Sequence, residues 1–354
     1  MKLTKELEQL IPNPFDPLIP RYHSPTCGKS RTFASMPEAE RIKGVIVRST
    51  GSHYEVQIED AERIPCRIRG KFRLEGWKLT NPVAVGDKVV IEKREQDPIG
   101  QIVTIEKRRN YVARQSPRQK HGLHLMAANI DQAVLVTTFV QPTLKPGFID
   151  RFLLMTQGHE IPVLIFINKC DLLTEDEEKQ VRGLQNIYES IGYQTIAGSA
   201  ESNAGISELK SYLAGKITLF AGQSGVGKST LLNALEPGLG LRTADISERS
   251  GKGLHTTTNA EMFPWGPEGA VIDSPGIKNL SFNHFTAQDV AHNFREFFVL
   301  SKDCKFADCT HRNEPKCAVK KALEDGQVSA LRYQHYLQIL EEVEAQNAWD
   351  RPNL

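Results

Sequence analysis

Two textures of apolar patterning divide the chain. Between Arg41 and about Glu106, apolar residues come in short runs at 45–47, 54–58, 66–69, 88–91 and 101–105. Turn signals at Gly51-Ser52, Gly76, Asn81-Pro82 and Gly86-Asp87 separate them. Five short strands at this spacing predict a small closed barrel of the oligonucleotide-binding (OB) type, with an SH3-like barrel as the alternative. Arg67, Arg69, Lys71 and Arg73 alternate, which predicts one basic face on a strand. After residue 124 the runs become continuous, at 133–136, 163–167, 195–197, 217–220 and 270–272, and segments with helical spacing such as 149–157 and 175–191 lie between them. Strands buried on both faces and alternating with helices predict a doubly wound α/β domain.

The remaining segments have less period. Residues 1–40 hold six prolines and predict a disordered arm. Residues 107–124 are basic without an apolar repeat and predict a loop that a polyanion could order. Residues 319–348 predict one helix, with Leu323, Leu331, Tyr336, Leu337 and Leu340 as its apolar positions. The expected division is an arm (1–40), a barrel (41–110), an α/β domain (111–285) and a C-terminal helical domain (286–354).

Composition changes this picture in one respect. With 40% hydrophobic and 25% charged residues, the chain reads as an ordinary globular protein. No apolar run of 18 residues predicts a membrane span, and the first residues lack the apolar core of a secretory leader. Six cysteines are too few for a disulfide scaffold, so a cytoplasmic setting is expected. The net charge of +1 argues against a polyanionic partner until the chain is split. Residues 1–124 carry 23 Lys and Arg against 15 Asp and Glu, whereas the rest of the chain is acidic. A basic front joined to an acidic remainder suggests a nucleic-acid-facing module.

The chemistry is concentrated in the α/β part. Gly222-Gln223-Ser224-Gly225-Val226-Gly227-Lys228-Ser229 fits GxxxxGK[ST], follows a predicted strand and runs into Thr230 and a helix-like segment. The glycines let backbone N–H groups wrap a phosphate, Lys228 reaches the β- and γ-phosphates, and Ser229 is placed to ligate magnesium. A similar Cys27-Gly28-Lys29-Ser30 lacks both the first glycine and a preceding strand, and is set aside. Asn168-Lys169-Cys170-Asp171 stands at a strand end, where open α/β sheets bind ligands. Asp171 can accept from guanine N1–H and its exocyclic amine, a donor pair adenine lacks. The Lys169 stem can cover the base, Asn168 can tie this loop to the phosphate loop, and Ser199-Ala200 can offer an N–H to guanine O6. Asp273-Ser274-Pro275-Gly276 supplies a carboxylate for magnesium and the Gly276 N–H for the γ-phosphate. In the loop before it, Thr257 is the candidate magnesium ligand, with Thr256 next. Ile277 stands where many GTPases place a water-orienting Gln, which leaves His255 as the nearest catalytic candidate beside Thr257. In most GTPases the phosphate loop comes first. Here the base-reading motifs precede it, which predicts a circular permutation and a short path from Asp273 to the C-terminus.

Cys304, Cys309, His311 and Cys317 fall within 14 residues among polar neighbours. Three thiolates and an imidazole make a closed tetrahedral zinc set, hence a structural site that supplies local folding energy. A redox thiol cluster is the alternative.

A barrel, a permuted GTPase domain and a C-x4-C-x-H-x5-C finger together resemble the RsgA (YjeQ) family of bacterial GTPases, over roughly residues 41–345. Further marks are Ala127-Ala128-Asn129-Ile130-Asp131-Gln132 and His255-Thr256-Thr257-Thr258. The resemblance implies a monomeric GTP/GDP-binding factor with one structural zinc, and magnesium bound with GTP. It implies docking on the immature small (30S) ribosomal subunit and its 16S rRNA, in late maturation, with release on subunit-stimulated hydrolysis. Ile277 matches the family's hydrophobic residue, whereas Leu254 stands where the family commonly has Arg. Two other readings stay open: a GTP-responsive RNA-binding scaffold, and an assembly GTPase for another RNA.

Overall fold

The computed structural model describes residues 40–69, 79–94, 96–115, 123–241, 260–277, 280, 282 and 285–349. Six strands open it: β1 (Glu40–Ser49), β2 (Tyr54–Gln57), β3 (Arg63–Ile68), β4 (Leu79–Asn81), β5 (Lys88–Lys93) and β6 (Gly100–Ile105). Five of them close in the order β1-β2-β3-β6-β5, with β5 returning to β1. Only β3 and β6 run parallel in that ring, so the barrel has the OB-type connection. Alternation fills it, with Tyr54, Val56, Ile64, Cys66, Val89 and Ile91 buried inside. Burial pushes the Cys66 thiol up to about 12, which makes it an inert core residue.

The basic front is less free than the sequence suggests. Arg69 follows β3 and pairs with Glu92 at 3.4 Å, which Arg41 also meets at 3.1 Å. Arg48 and Arg63 both reach Glu55 and Glu261. Of the predicted basic row, Arg67 is exposed on β3, whereas Lys71 and Arg73 lie outside the described residues.

The predicted loop at 107–124 needs correction. Residues Tyr111–Gln115 (β7) and Leu123–Ala128 (β8) pair antiparallel, and β4 lies along β8. Buried Val112, Leu125 and Ala128 hold this small sheet, with Ala84 beneath. Arg108 is not available to a polyanion either: it forks onto buried Asp87 at 2.7 and 2.8 Å and donates to the Pro82 carbonyl. Arg109 bonds Asp131 at 2.7 Å. Arg109 thereby joins the barrel region to the next domain.

That domain carries β9 (Gln132–Thr138), β10 (Val163–Asn168), β11 (Gln194–Ala197), β12 (Ile217–Gly222), β13 (Ala260–Trp265) and β14 (Gly269–Asp273). The sheet order is β11-β10-β9-β12-β14-β13, parallel throughout except for β13. Every residue of β9 and β10 is buried, as expected for strands covered on both faces. Helices α1 (Phe148–Gln157), α2 (Glu175–Ser190), α3 (Ile206–Leu213) and α4 (Lys228–Leu235) connect the strands. α2 starts on a capping box in which Thr174 and Glu177 satisfy each other's backbone N–H. Edge strand β13 continues antiparallel onto β1, so barrel and α/β sheet form one continuous surface.

The C-terminal part is α5 (Ala287–Asn293), α6 (Arg295–Ser301), α7 (Ala318–Glu324) and α8 (Ala330–Trp349), packed around Phe294, Phe297 and Tyr336. The single helix predicted over 319–348 is therefore two. Gly326, at φ +73°, takes the left-handed conformation that ends α7. Among the described residues, no helix is long and apolar enough to cross a membrane.

Candidate nucleotide site and metal centre

Strands β10, β11, β12 and β14 are parallel, so their C-terminal ends share one edge, and each end carries one of the four sequence motifs. The loop from Gly222 to Lys228 turns through Gly225 and Gly227, both at φ +85°. A Cβ on Gly227 would sit 2.6 Å from Asn168 Nδ2, so close approach as well as conformation requires glycine there. Val226 is buried as the anchor of the turn, Gln223 is buried beside it, and Ser224 is half-buried. Lys228 opens α4, with Ser229 and Thr230 half-buried in its first turn.

Asn168 ties three loops together. Its Nδ2 donates to the Val226 carbonyl at 2.9 Å, and its Oδ1 accepts from the Ala200 N–H at 3.0 Å. Lys169, at φ +64°, donates from Nζ to the Gly225 carbonyl at 3.0 Å and the Gln141 carbonyl at 2.7 Å. Asp171 stays exposed. Ser199 is buried, and its Oγ accepts from the N–H groups of Glu201 and Ser202. The Ser199 N–H is bonded to the Ala204 carbonyl. An O6 contact from Ala200 would therefore share its N–H with Asn168.

On the other side, Asp273 is buried at the end of β14, and Ser274 Oγ bonds the Phe220 carbonyl at 2.8 Å. Gly276 lies against the phosphate loop: a Cβ there would be 3.0 Å from the Ser224 Cα. The Ile277 N–H donates to the Gly222 carbonyl at 2.9 Å, and its side chain is buried and has no hydrogen-bonding group. Burial lowers the Lys228 ammonium from its ordinary range, and the Asp273 carboxylate opposes that shift. Lys228 Nζ rests on the Gly222 carbonyl at 3.3 Å. The edge thus sets a cation beside a carboxylate at a glycine-rich turn, which is the chemistry of a magnesium–polyphosphate site. His255, Thr256, Thr257 and the Cys27–Ser30 look-alike lie outside the described residues.

Sequence reasoning missed the loop after β9. Pro142 lies 3.8 Å from the Cβ position of Gly225, and its carbonyl accepts from Thr138 Oγ1 at 2.6 Å. It also missed Asp150, whose signal is one acid on the buried face of α1.

The ligating atoms of Cys304, Cys309, His311 and Cys317 all lie within 4.8 Å of one another. His311 Nδ1 is 3.4 Å from the Cys317 sulfur and 3.7 Å from that of Cys304, and those two sulfurs are 3.9 Å apart. A tetrahedron with metal–sulfur arms of about 2.3 Å has edges of about 3.8 Å, so the spacing fits zinc. Burial lowers the His311 imidazolium, leaving the neutral ring that a metal needs. Glu314 braces the loop by accepting from the N–H groups of Thr310 and Arg312.

Phosphate loop, base-reading loop and magnesium-side loop on one sheet edge define a P-loop GTPase. Its chain is circularly permuted, because the strands bearing Asn168–Asp171 and Ser199-Ala200 precede the phosphate loop yet sit in the same sheet. Comparison with known proteins agrees. The RsgA GTPase family matches residues 105–283 and the RsgA N-terminal domain matches residues 43–102. A small ribosomal subunit biogenesis GTPase RsgA from Bacteroides fragilis is 45% identical over 303 residues, covering 86% of this chain and 97% of that protein. An RsgA 2 of the same description from Bacteroides thetaiotaomicron is also 45% identical, with the same coverage. YjeQ from Thermotoga maritima superposes with a TM-score of 0.67 at 35% identity, over 88% of this chain and all of that one. YloQ, described as a circularly permuted GTPase, gives 0.65 at 30%, over 91% of this chain and all of that one. The chain belongs to the RsgA GTPase family.

Proposed function

We propose that this GTPase acts in assembly of the small ribosomal subunit, docking in its GTP form and leaving when the subunit stimulates hydrolysis. The observation that carries the GTP half is the three-loop staple at Asn168, which fixes a base-reading loop to a phosphate loop. In this reading Lys169, Asp171, Ser199 and Ala200 bind guanine, Asn168 ties their loop to the phosphate loop, and residues 222–230 with Asp273 and Gly276 bind the phosphates. Ser229 and Thr257 hold magnesium, which would neutralise charge on the β- and γ-phosphates. His255 and Thr257 act in catalysis. One structural zinc sits on Cys304, Cys309, His311 and Cys317. The protein works as a monomer in the cytoplasm, and its domains run over 41–110, 111–285 and 286–354.

The subunit half rests on the relatives' description and the basic front. Buried Ile277 supports the dependence on a partner, since this side chain cannot orient water and intrinsic turnover should be slow. The same observation favours a scaffold reading in which GTP serves only as a ligand. Cosedimentation with small and large subunits, using a non-hydrolysable GTP analogue and then GDP, tests the proposal. Retention on small subunits by the analogue and loss with GDP is expected. Equal retention with both would favour the scaffold, and retention on large subunits would redirect the target.

A further inference from the structure

The permuted order suggests that the nucleotide site speaks to the C-terminal module through the peptide that follows Asp273. The structure contains a second connection. Helix α1 places two consecutive charged residues against α8, and one of them also holds the segment after Gly276. Arg151 Nη1 forms an ion pair with Glu342 on α8 at 2.7 Å and donates to the Leu280 carbonyl at 3.3 Å. Its guanidinium lies 5.9 Å from the Phe282 ring centroid. Beside it, fully buried Asp150 accepts from Arg332 and His335 of α8 and from Tyr188 of α2. Arg332 also forks onto Glu296 of α6, with both bonds at 2.7 Å.

Each end of this arrangement reaches a functional centre. The loop leading into α1 holds Lys169 through the Gln141 carbonyl. At the far end, α8 grips the cysteine loop: Tyr333 donates to the His311 carbonyl at 2.7 Å, Tyr336 to the Thr310 carbonyl at 2.6 Å, and Arg312 forks onto Glu344. We infer that α1 is the coupling element between the nucleotide site and the cysteine module, with Arg151 as the positioning residue that reports the segment after Gly276 to α8. The two α1 contacts divide the work. Asp150–Arg332 is buried and fixes α1 on α8. Arg151 is partly exposed and hydrogen-bonds Leu280 in the post-Gly276 segment. In this coupling a shift of Leu280 that follows γ-phosphate binding at Gly276 passes through Arg151 Nη1 to Glu342.

The inference rests on the guanine-nucleotide reading of the site, and its test separates the two. Amide hydrogen exchange of residues 304–317 and of α8 is compared in the full-length, zinc-loaded protein with Mg·GDP and with a magnesium-bound non-hydrolysable GTP analogue. Wild type is expected to differ by about 5-fold or more between the two nucleotides. R151M should bring that ratio to about 1. R151K should keep the pairing with Glu342, the thermal midpoint and the GDP affinity, yet also lose the nucleotide difference. Lysine ends one bond short of Nη1, the single nitrogen that meets both groups, so the mobile Glu342 carboxylate can follow it but the Leu280 carbonyl cannot. A residue that merely held the fold would be rescued by lysine in both respects. If R151M does not fold, R151K and E342Q carry the comparison. A wild-type difference that survives in R151K, or no difference in wild type, overturns the coupling. Failure to bind either nucleotide would instead overturn the reading of the site.

Discussion

Replacing Asn168 tests how the site is assembled. The side chain is 3% exposed and satisfies two backbone groups, the buried Val226 carbonyl and the half-buried Ala200 N–H. An unsatisfied buried group costs about 1–3 kcal/mol, so Asn168→Ala should remove roughly 2–4 kcal/mol, shared between folding stability and nucleotide affinity. Assigning about half of that loss to binding predicts a GDP affinity about 5- to 30-fold weaker. Asn168→Asp separates the two bonds: its carboxylate can still accept from Ala200 but cannot donate to Val226. Because the staple acts on loop geometry, GDP and IDP should lose affinity by the same factor in both variants. Titration of a fluorescent diphosphate, alongside urea unfolding, reads both quantities. Wild-type affinity in Asn168→Asp would show that the Val226 bond does not shape the phosphate loop. A loss confined to guanine would show that Asn168 reads the base.

Four further outcomes follow from named contacts. Asp171→Asn should weaken GDP binding and favour xanthine nucleotides, measured by competition; unchanged preference would remove Asp171 from base reading. Asp150→Ala leaves Arg332 and His335 without their carboxylate and should cost about 3–5 kcal/mol in urea unfolding. Burial alone would raise the Asp150 pKa, but Arg332, His335 and Tyr188 together hold it below the usual carboxylate range. Its stabilisation is therefore full above the ordinary carboxylate pKa and is lost as pH falls through the folded value, so the variant should flatten the acid side of the stability profile. Cys309→Ala, or chelation, should unfold residues 304–317 by hydrogen exchange while GDP binding persists; loss of both would make the cysteine loop part of the nucleotide domain.

How much was legible in the sequence depends on how local the signal is. β9 and β10 are continuous apolar runs and stand out because both faces are covered. The site motifs are equally visible, since phosphate and base recognition need fixed residue types at loop positions. β7 was not visible, because its neighbours Arg108 and Arg109 and its own Arg114 mask a weak alternation, and the partners of the first two, Asp87 and Asp131, are remote in sequence. β13 carries Pro264, which weakens any strand reading, yet it pairs with β14, and the proline falls beyond the two residues that pair with β1. The break at Gly326 is a single residue inside an otherwise helical pattern. Charge counting exposed the basic front but not its pairing, because Glu92 and Glu261 neutralise arginines only after folding. The bond between Ala200 and Asn168 joins loops 32 residues apart and belongs to tertiary structure alone.

A GTPase switched by the small ribosomal subunit, as proposed above, depends on that subunit for its turnover. GTP turnover by the full-length, zinc-loaded protein, measured alone and with purified small or large subunits, tests it most directly. Slow turnover alone, stimulated by about a thousandfold or more with small subunits only, on the scale that partner-supplied groups give other GTPases, is the expected result. Equal rates in all three conditions, or faster hydrolysis of ATP than of GTP, would contradict it.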